Sequence, residues 1–241
     1  YPDEHDGWTS DSNELNRTAG GGGSDGKQIH SAPAFYYNGM YFATLQVLDS
    51  GQTGNMPLEL ALSHDGFNWQ RPFRDTLFLP SLPDKSRFDA SIIWSNSTPV
   101  FLKEEFRYYY GAYGQQWNID DDRKQNSGIG LATMPPDRFA GIQPIGTIGQ
   151  ITLKPIQLNG SNSITINSDT SGGSLRVEIL NKNGYRLKGF TKEDAIPLLG
   201  NNLKHPVSWQ KQSITNLDTG EYMLRLHLKD SQVFALTIWT Q

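Results

Sequence analysis

Asn38-Gly39 lies between two strand-like runs, Ala34-Phe35-Tyr36-Tyr37 and Met40-Tyr41-Phe42-Ala43-Thr44-Leu45-Gln46-Val47-Leu48. A two-residue hairpin turn needs positive φ at both central residues, and Asn-Gly adopts it at little cost, so the segment reads as strand, tight turn, strand. A third strand follows at Leu58-Glu59-Leu60-Ala61-Leu62-Ser63, and Asp65-Gly66 turns the chain into a short fourth strand at Trp69. The plan then recurs. Ile92-Ile93-Trp94 and Pro99-Val100-Phe101-Leu102 make a first strand region, and Lys103-Glu104-Glu105 a turn. Phe106–Tyr113 is the second strand and Ile129-Gly130-Leu131-Ala132-Thr133 the third. Leu60-Ala61-Leu62-Ser63 aligns with Leu131-Ala132-Thr133-Met134, a period of about 70 residues. Repeated units of three to four antiparallel strands are the sequence mark of propeller blades. The expectation is an all-β chain in which residues 29–148 form two four-stranded antiparallel blades, a partial β-propeller.

From about Gly149 the texture changes to strict alternation. Ser163-Ile164-Thr165-Ile166-Asn167, Leu175-Arg176-Val177-Glu178-Ile179, Tyr222–Leu228 and Val233–Trp239 each place apolar residues on one face only. Turn signals fall at Asn159-Gly160, Gly172-Gly173, Asn183-Gly184 and Gly200-Asn201. One wet face per strand predicts a β-sandwich over residues 149–241. No helix longer than two turns is expected; Thr191–Ala195 has room for one turn. Residues 1–28 are polar and Gly-rich, with Gly20–Ser24 reading as a flexible linker.

Composition narrows the function classes. Hydrophobic residues make up 36% and charged residues 19% of 241, with 11% aromatic, which fits a folded chain rather than a disordered one. No apolar run approaches the 18 or so residues of a membrane span, so no membrane partner is expected. The net charge of -4 and the lack of a Lys/Arg cluster argue against nucleic acid. The absence of cysteine removes disulfides, thiol nucleophiles and thiolate metal sites. The acidic, polar start Tyr1–Asp6 is no signal peptide, and the expectation is a mature or truncated start.

Ala61-Leu62-Ser63-His64-Asp65-Gly66-Phe67-Asn68-Trp69 resembles the blade motif of the five-bladed propeller glycosyl-hydrolase-like proteins, the invertase-like and arabinanase-like families. Its Ser-x-Asp-Gly-x-x-Trp core is also similar to sialidase Asp-boxes. Residues 25–241 resemble the C-terminal half of a group of bacterial secreted proteins of this kind, in which propeller precedes sandwich. The segments that carry this are Ser31–Tyr37, the motif above, Gly128-Ile129-Gly130-Leu131-Ala132 and Gly172–Leu180. The resemblance implies a secreted or periplasmic protein acting on poly- or oligosaccharide. It also implies that further blades, missing at the N-terminal side or supplied by a partner chain, complete the propeller. In the invertase-like families the essential carboxylates come mainly from early blades, so this chain is not expected to hold a complete catalytic set.

Glycoside hydrolysis takes two carboxyl groups, about 5–5.5 Å apart in retaining and 6.5–9.5 Å apart in inverting enzymes. In a blade, the loops entering the first strand and joining the second to the third lie on the ligand face. Asp89, in Arg87-Phe88-Asp89-Ala90-Ser91, and Asp25 precede first strands, which makes them the catalytic candidates. The bland reading of Asp89 is a strand-start residue that bonds backbone N–H groups. His30, Tyr110, Tyr113 and Trp117 are the substrate-binding candidates, with Trp117 placed to stack on a sugar ring. His30 could equally be a satisfied inner-strand histidine. One face of the Tyr110–Tyr113 strand must be core, so only part of that set can reach a ligand. No metal site and no cofactor are expected. Asp120-Asp121-Asp122, in the loop 114–127, could bind calcium through oxygen ligands but lacks EF-hand spacing, and a solvated acidic loop is the alternative.

Asp65 is expected to hold its turn, Glu59 to be either paired or in the site, and Arg176, Glu178, Arg225 and His227 to form a solvent face. Trp209 and Trp239 both fit the core. Three functions compete: a glycoside hydrolase or part of one, a non-catalytic carbohydrate-binding protein, and an assembly module whose open blade edges pair with another chain.

Overall fold

The structure, a computed structural model, describes residues 27–50, 52–73, 76–84, 86–96, 98–114, 126–158 and 160–240. The fold is all-β. Two compact units divide between Met134 and Pro135, earlier than the change of texture near Gly149.

The first unit holds two antiparallel sheets. β1 (Lys27–Ser31) and β2 (Ala34–Tyr37) both pair with β3 (Met40–Asp49) and are two parts of one strand position. β4 (Leu58–Ser63) and β5 (Trp69–Gln70) complete the sheet, which gives the four positions expected. Asn38 and Gly39 take φ of 47° and 83°, the left-handed pair that a tight hairpin requires. In the second sheet β6 (Ile92–Ser95) and β7 (Val100–Phe101) again share one edge of β8 (Phe106–Tyr113). β9 (Ser127–Met134) takes the other edge, and among the described residues the sheet ends there.

Strand alternation decides how the sheets meet. On β8, Phe106, Tyr108, Tyr110 and Ala112 are buried, while Tyr109 and Tyr113 point the other way into solvent. The buried face packs on the first sheet, with Ile93, Tyr110 and Ala112 clustered around Leu58 and supported by Phe78, Leu79 and Ala132. Leu48, Met56 and Ile92 form a second contact, and the Thr44 and Ser95 hydroxyls share a 2.5 Å hydrogen bond.

The second unit is one sheet folded on itself. Its strands are β10 (Ile148–Thr152), β11 (Ile156–Gln157), β12 (Ser161–Asn181), β13 (Leu198–Pro206), β14 (Glu221–Lys229) and β15 (Gln232–Thr240). The 21-residue β12 pairs with β15 through its first half and with β14 through its second. The two layers of the sandwich therefore share one bent strand. Gly172 and Gly173 do not end a strand: they form the bend. A Cβ on Gly173 would lie 2.1 Å from the Lys229 carbonyl oxygen, so only glycine lets the β14–β15 turn close over the corner. Between the layers lies a single core that includes Ile164, Ile166, Leu175, Ile179, Leu224 and Leu228. Trp209 belongs to it and donates its indole N–H to the Val177 carbonyl. Trp239 lies at the surface, with the Lys204 ammonium 5.8 Å from its ring centroid.

The expected solvent face of β12 and β14 is not all wet. Glu178 is only 1% exposed. Its carboxylate pairs with Arg186, accepts a 2.9 Å hydrogen bond from His227 Nε2, and has Arg225 Nη1 at 3.8 Å. Arg186 also pairs with Glu193. The connection between β12 and β13 folds back over this face, an effect that period-two alternation cannot register.

Candidate functional site

The segment before β6 is irregular and is stitched to the ends of β8 and β9. Ser91 Oγ donates to the Gly114 carbonyl at 3.0 Å, and Gly114 N donates to Asn126 O at 2.8 Å. Asn126 Nδ2 returns a 2.6 Å bond to the Ser86 carbonyl. These bonds fix the backbone on either side of Asp89.

Asp89 is 2% exposed. Arg87 Nε donates to its Oδ1 at 3.0 Å and Arg87 Nη2 to its Oδ2 at 3.3 Å, a two-pronged pair. The Tyr110 hydroxyl donates to the same Oδ2 at 2.9 Å. Burial works to raise the Asp89 pKa, but the bonds from Arg87 and Tyr110 outweigh it and hold the carboxyl below its ordinary value. In turn, burial and then the bond to Asp89 push the Tyr110 phenol up to about 12. Phe88 stacks on the Tyr110 ring at 6.3 Å. Across the ladder, Gly130 is the partner of Tyr110, and its missing side chain makes room for that ring.

The sequence-derived set therefore separates. Asp89 and Tyr110 are brought together, inside the packing between the sheets. Tyr113 stands on the opposite face of β8, 39% exposed. His30 lies on β1, where the register with β3 shifts, and its ring meets Trp94 edge-on at 6.3 Å. Asp25, Trp117 and Asp120–Asp122 lie outside the described residues. Sequence reasoning missed Arg87 and Trp94. The clue to Arg87 was its place two residues before Asp89, and the clue to Trp94 its position on a first strand, as for His30.

The Ser63–Trp69 turn is held as expected of its motif. Asp65 Oδ1 accepts the backbone N–H groups of Phe67 at 2.9 Å and Asn68 at 2.7 Å, and Oδ2 accepts from Asn68 Nδ2 at 2.6 Å. Backbone and side-chain bonds from Asn68, then the backbone bond from Phe67, drive the Asp65 pKa far below its ordinary value. Trp69 Nε1 closes the turn on the Gly66 carbonyl at 3.0 Å. Glu59 is paired rather than free: Arg71 Nη2 lies 2.6 Å from its Oε2, and both side chains are nearly buried. Among the described residues no group of three or more His, Asp or Glu side chains could hold a metal ion.

No family model matches the chain, and no curated protein matches it. Solved structures similar to it include an exo-β-1,3-galactanase from Phanerochaete chrysosporium with galactose. The identity is 10% and the TM-score 0.25, over 90% of this chain and 58% of that one. Another is a sucrose-6-phosphate hydrolase from Lactobacillus gasseri, at 10% identity and a TM-score of 0.20 over 83% of this chain and 65% of that one. Both are glycoside hydrolases, and this chain spans less than two thirds of either. At such scores the likeness carries no argument about reaction or substrate.

Proposed function

We propose that the chain is the C-terminal portion of a secreted glycoside-hydrolase-like protein acting on poly- or oligosaccharide. In this reading the two blade-like sheets supply scaffold and a carbohydrate-contacting wall, and Asp89 is an internal anchor rather than an acid or base. The observation that carries the reading is the split on β6 and β8. The inward tyrosine saturates Asp89, while His30, Trp94 and Tyr113 keep exposed ring surface near the first-strand side of the sheets. Flat aromatic rings with a polar tip suit the C–H faces and hydroxyls of a sugar. A carboxylate already bonded by Arg87 and Tyr110 would have to break those bonds before it could reach a glycosidic oxygen.

Retardation of the chain in gels cast with β-glucans, galactans, arabinans and fructans tests this. Retardation is expected in at least one, weakened about tenfold by Trp94→Ala, the scale of one lost stacking contact. Tyr36→Ala, on another surface, is expected to leave it unchanged. Equal retardation of wild type and Trp94→Ala, or none with any glycan, contradicts the reading.

A further inference from the structure

Four neighbouring strands of the first sheet place side chains in one row. Tyr36 on β2 pairs with Tyr41 on β3, Tyr41 with Ser63 on β4, and Ser63 with Trp69 on β5. Cross-strand partners share a face, so three aromatic rings and one hydroxyl line up across the sheet. The Asp65 turn folds against that row. Ser63 Oγ donates to Asp65 Oδ1 at 3.0 Å, and a Cβ on Gly66 would lie 3.5 Å from the Tyr41 ring. The result is a groove of about 410 Å³, lined by the buried Trp69 and by Tyr36, Tyr41, Asp65 and Phe67. Small-molecule sites have volumes of roughly 300–1,000 Å³.

Two of these rings are left over by the fold. Phe67 gives the turn a backbone N–H and leaves its ring in solvent, the residue being 77% exposed. Tyr36 meets Tyr41 with ring centroids 4.9 Å apart and is still 61% exposed. The charge beside them is equally unspent. Both Asp65 oxygens accept from neutral donors: the Ser63 hydroxyl, the Phe67 and Asn68 backbone N–H groups and the Asn68 amide. The turn thus fixes the carboxylate without bringing a cation to it, and among the described residues no Lys or Arg lines the groove.

We propose that this groove binds a quaternary ammonium group of the choline type. Aromatic faces attract a cation through the negative face of the ring, and the Asp65 carboxylate adds charge of the same sign. The hydrogen-bond pattern selects the kind of cation. A primary ammonium or a guanidinium recognises a carboxylate by donating to its lone pairs, and those of Asp65 are taken up by the turn. A quaternary ammonium donates nothing. It needs only the charge, and its methyl groups pack on the rings. The groove shares no residue with the His30, Trp94 and Tyr113 set, so the inference does not rest on glycan binding.

Titration calorimetry of the full chain with choline chloride at fixed ionic strength tests it. Saturable binding is expected with a Kd of about 1 mM, and at least about tenfold weaker binding of dimethylbutanol, the neutral carbon isostere. Tyr36→Ala and Phe67→Ala are each expected to weaken choline about fivefold. Both side chains are exposed, and each variant's thermal midpoint shows that the fold is kept. Tyr36→Phe retains the aromatic face and Trp94→Ala lies outside the groove, so both are expected to bind as wild type does. Co-sedimentation with phosphatidylcholine vesicles, against phosphatidylglycerol vesicles, separates the two sources of the group. Binding to the first alone assigns a lipid headgroup, and binding of free choline without vesicles assigns a soluble ligand. The proposal is overturned if neither form binds, if dimethylbutanol binds as well as choline, or if both alanine variants bind choline as wild type does.

Discussion

Replacing Gly130 by alanine probes the packing that places Asp89. A Cβ at Gly130 would fall 2.2 Å from Tyr110 Cζ and 2.5 Å from its hydroxyl oxygen, well inside contact distance. The ring has nowhere to go, with Phe88 stacked against it and Asp89 accepting its hydroxyl proton. Overpacking of a buried site costs about 1–3 kcal/mol. Pulling the phenol off a buried carboxylate adds about 1.5–3 kcal/mol. Relief of unfolded-chain entropy on leaving glycine returns about 0.4–1 kcal/mol, so the net loss expected is about 1.5–5.5 kcal/mol. Gly111, on the adjacent strand, is the natural comparison, because a Cβ there meets nothing within 4 Å. Gly111→Ala is expected to be neutral or to stabilise by up to about 1 kcal/mol. Urea unfolding of both variants, with m held constant, gives the two numbers. The cost of Gly130→Ala should also shrink in a Tyr110→Leu background, a coupling that a double-mutant cycle reads directly. If the two glycine variants are equally stable, or the penalty persists without the tyrosine, the packing argument is wrong.

Arg71→Leu strands the nearly buried Glu59 carboxylate and is expected to destabilise the first unit by about 3–5 kcal/mol in the same urea assay; a change below about 1 kcal/mol would contradict the pairing. Glu178→Gln leaves Arg186 and His227 facing a neutral amide, and differential calorimetry should show the second unit's transition lowered while the first unit's stays in place. Asp65 and Asp89 both have folded pKa values below their unfolded ones. The folded chain then binds fewer protons than the unfolded chain, so these groups stabilise above about pH 4, the unfolded value, and the contribution is lost as pH falls through the folded values. The urea midpoint of the first unit should be flat from pH 7 to about 5 and drop below about 4; a midpoint unchanged at pH 3 would remove both carboxylates from the account.

Local chemistry made much of this fold readable. Asn38-Gly39 can take the left-handed turn that few other pairs tolerate, and the spacing of Ser63, Asp65, Gly66 and Trp69 supplies the donors and acceptors that close the turn on itself. Alternation likewise limited how many of the β8 tyrosines could leave the core. What stayed hidden depended on distant chain. Gly172-Gly173 reads as a turn, because glycine pairs usually mark one; here they are the corner of a single strand, required by the Lys229 carbonyl. Glu178 reads as wet, because alternation gives only the face, and the covering connection lies outside the strand. The position of Asp89 before a strand was legible, but the pairing with Arg87 and Tyr110 that buries its carboxylate was not. Arg87 sits in irregular chain where no period applies, and the role of Tyr110 depends on Gly130 across the ladder.

The Asp89 carboxyl itself offers the most direct measurement. Its ¹³C resonance, titrated in the full chain with and without a bound oligosaccharide, reports its pKa. The account places that value below the ordinary aspartate value of about 3.9 and unmoved by glycan. A value raised above about 5, or one that shifts when glycan binds, would make Asp89 a proton-transferring group in contact with substrate and would contradict its role as an anchor.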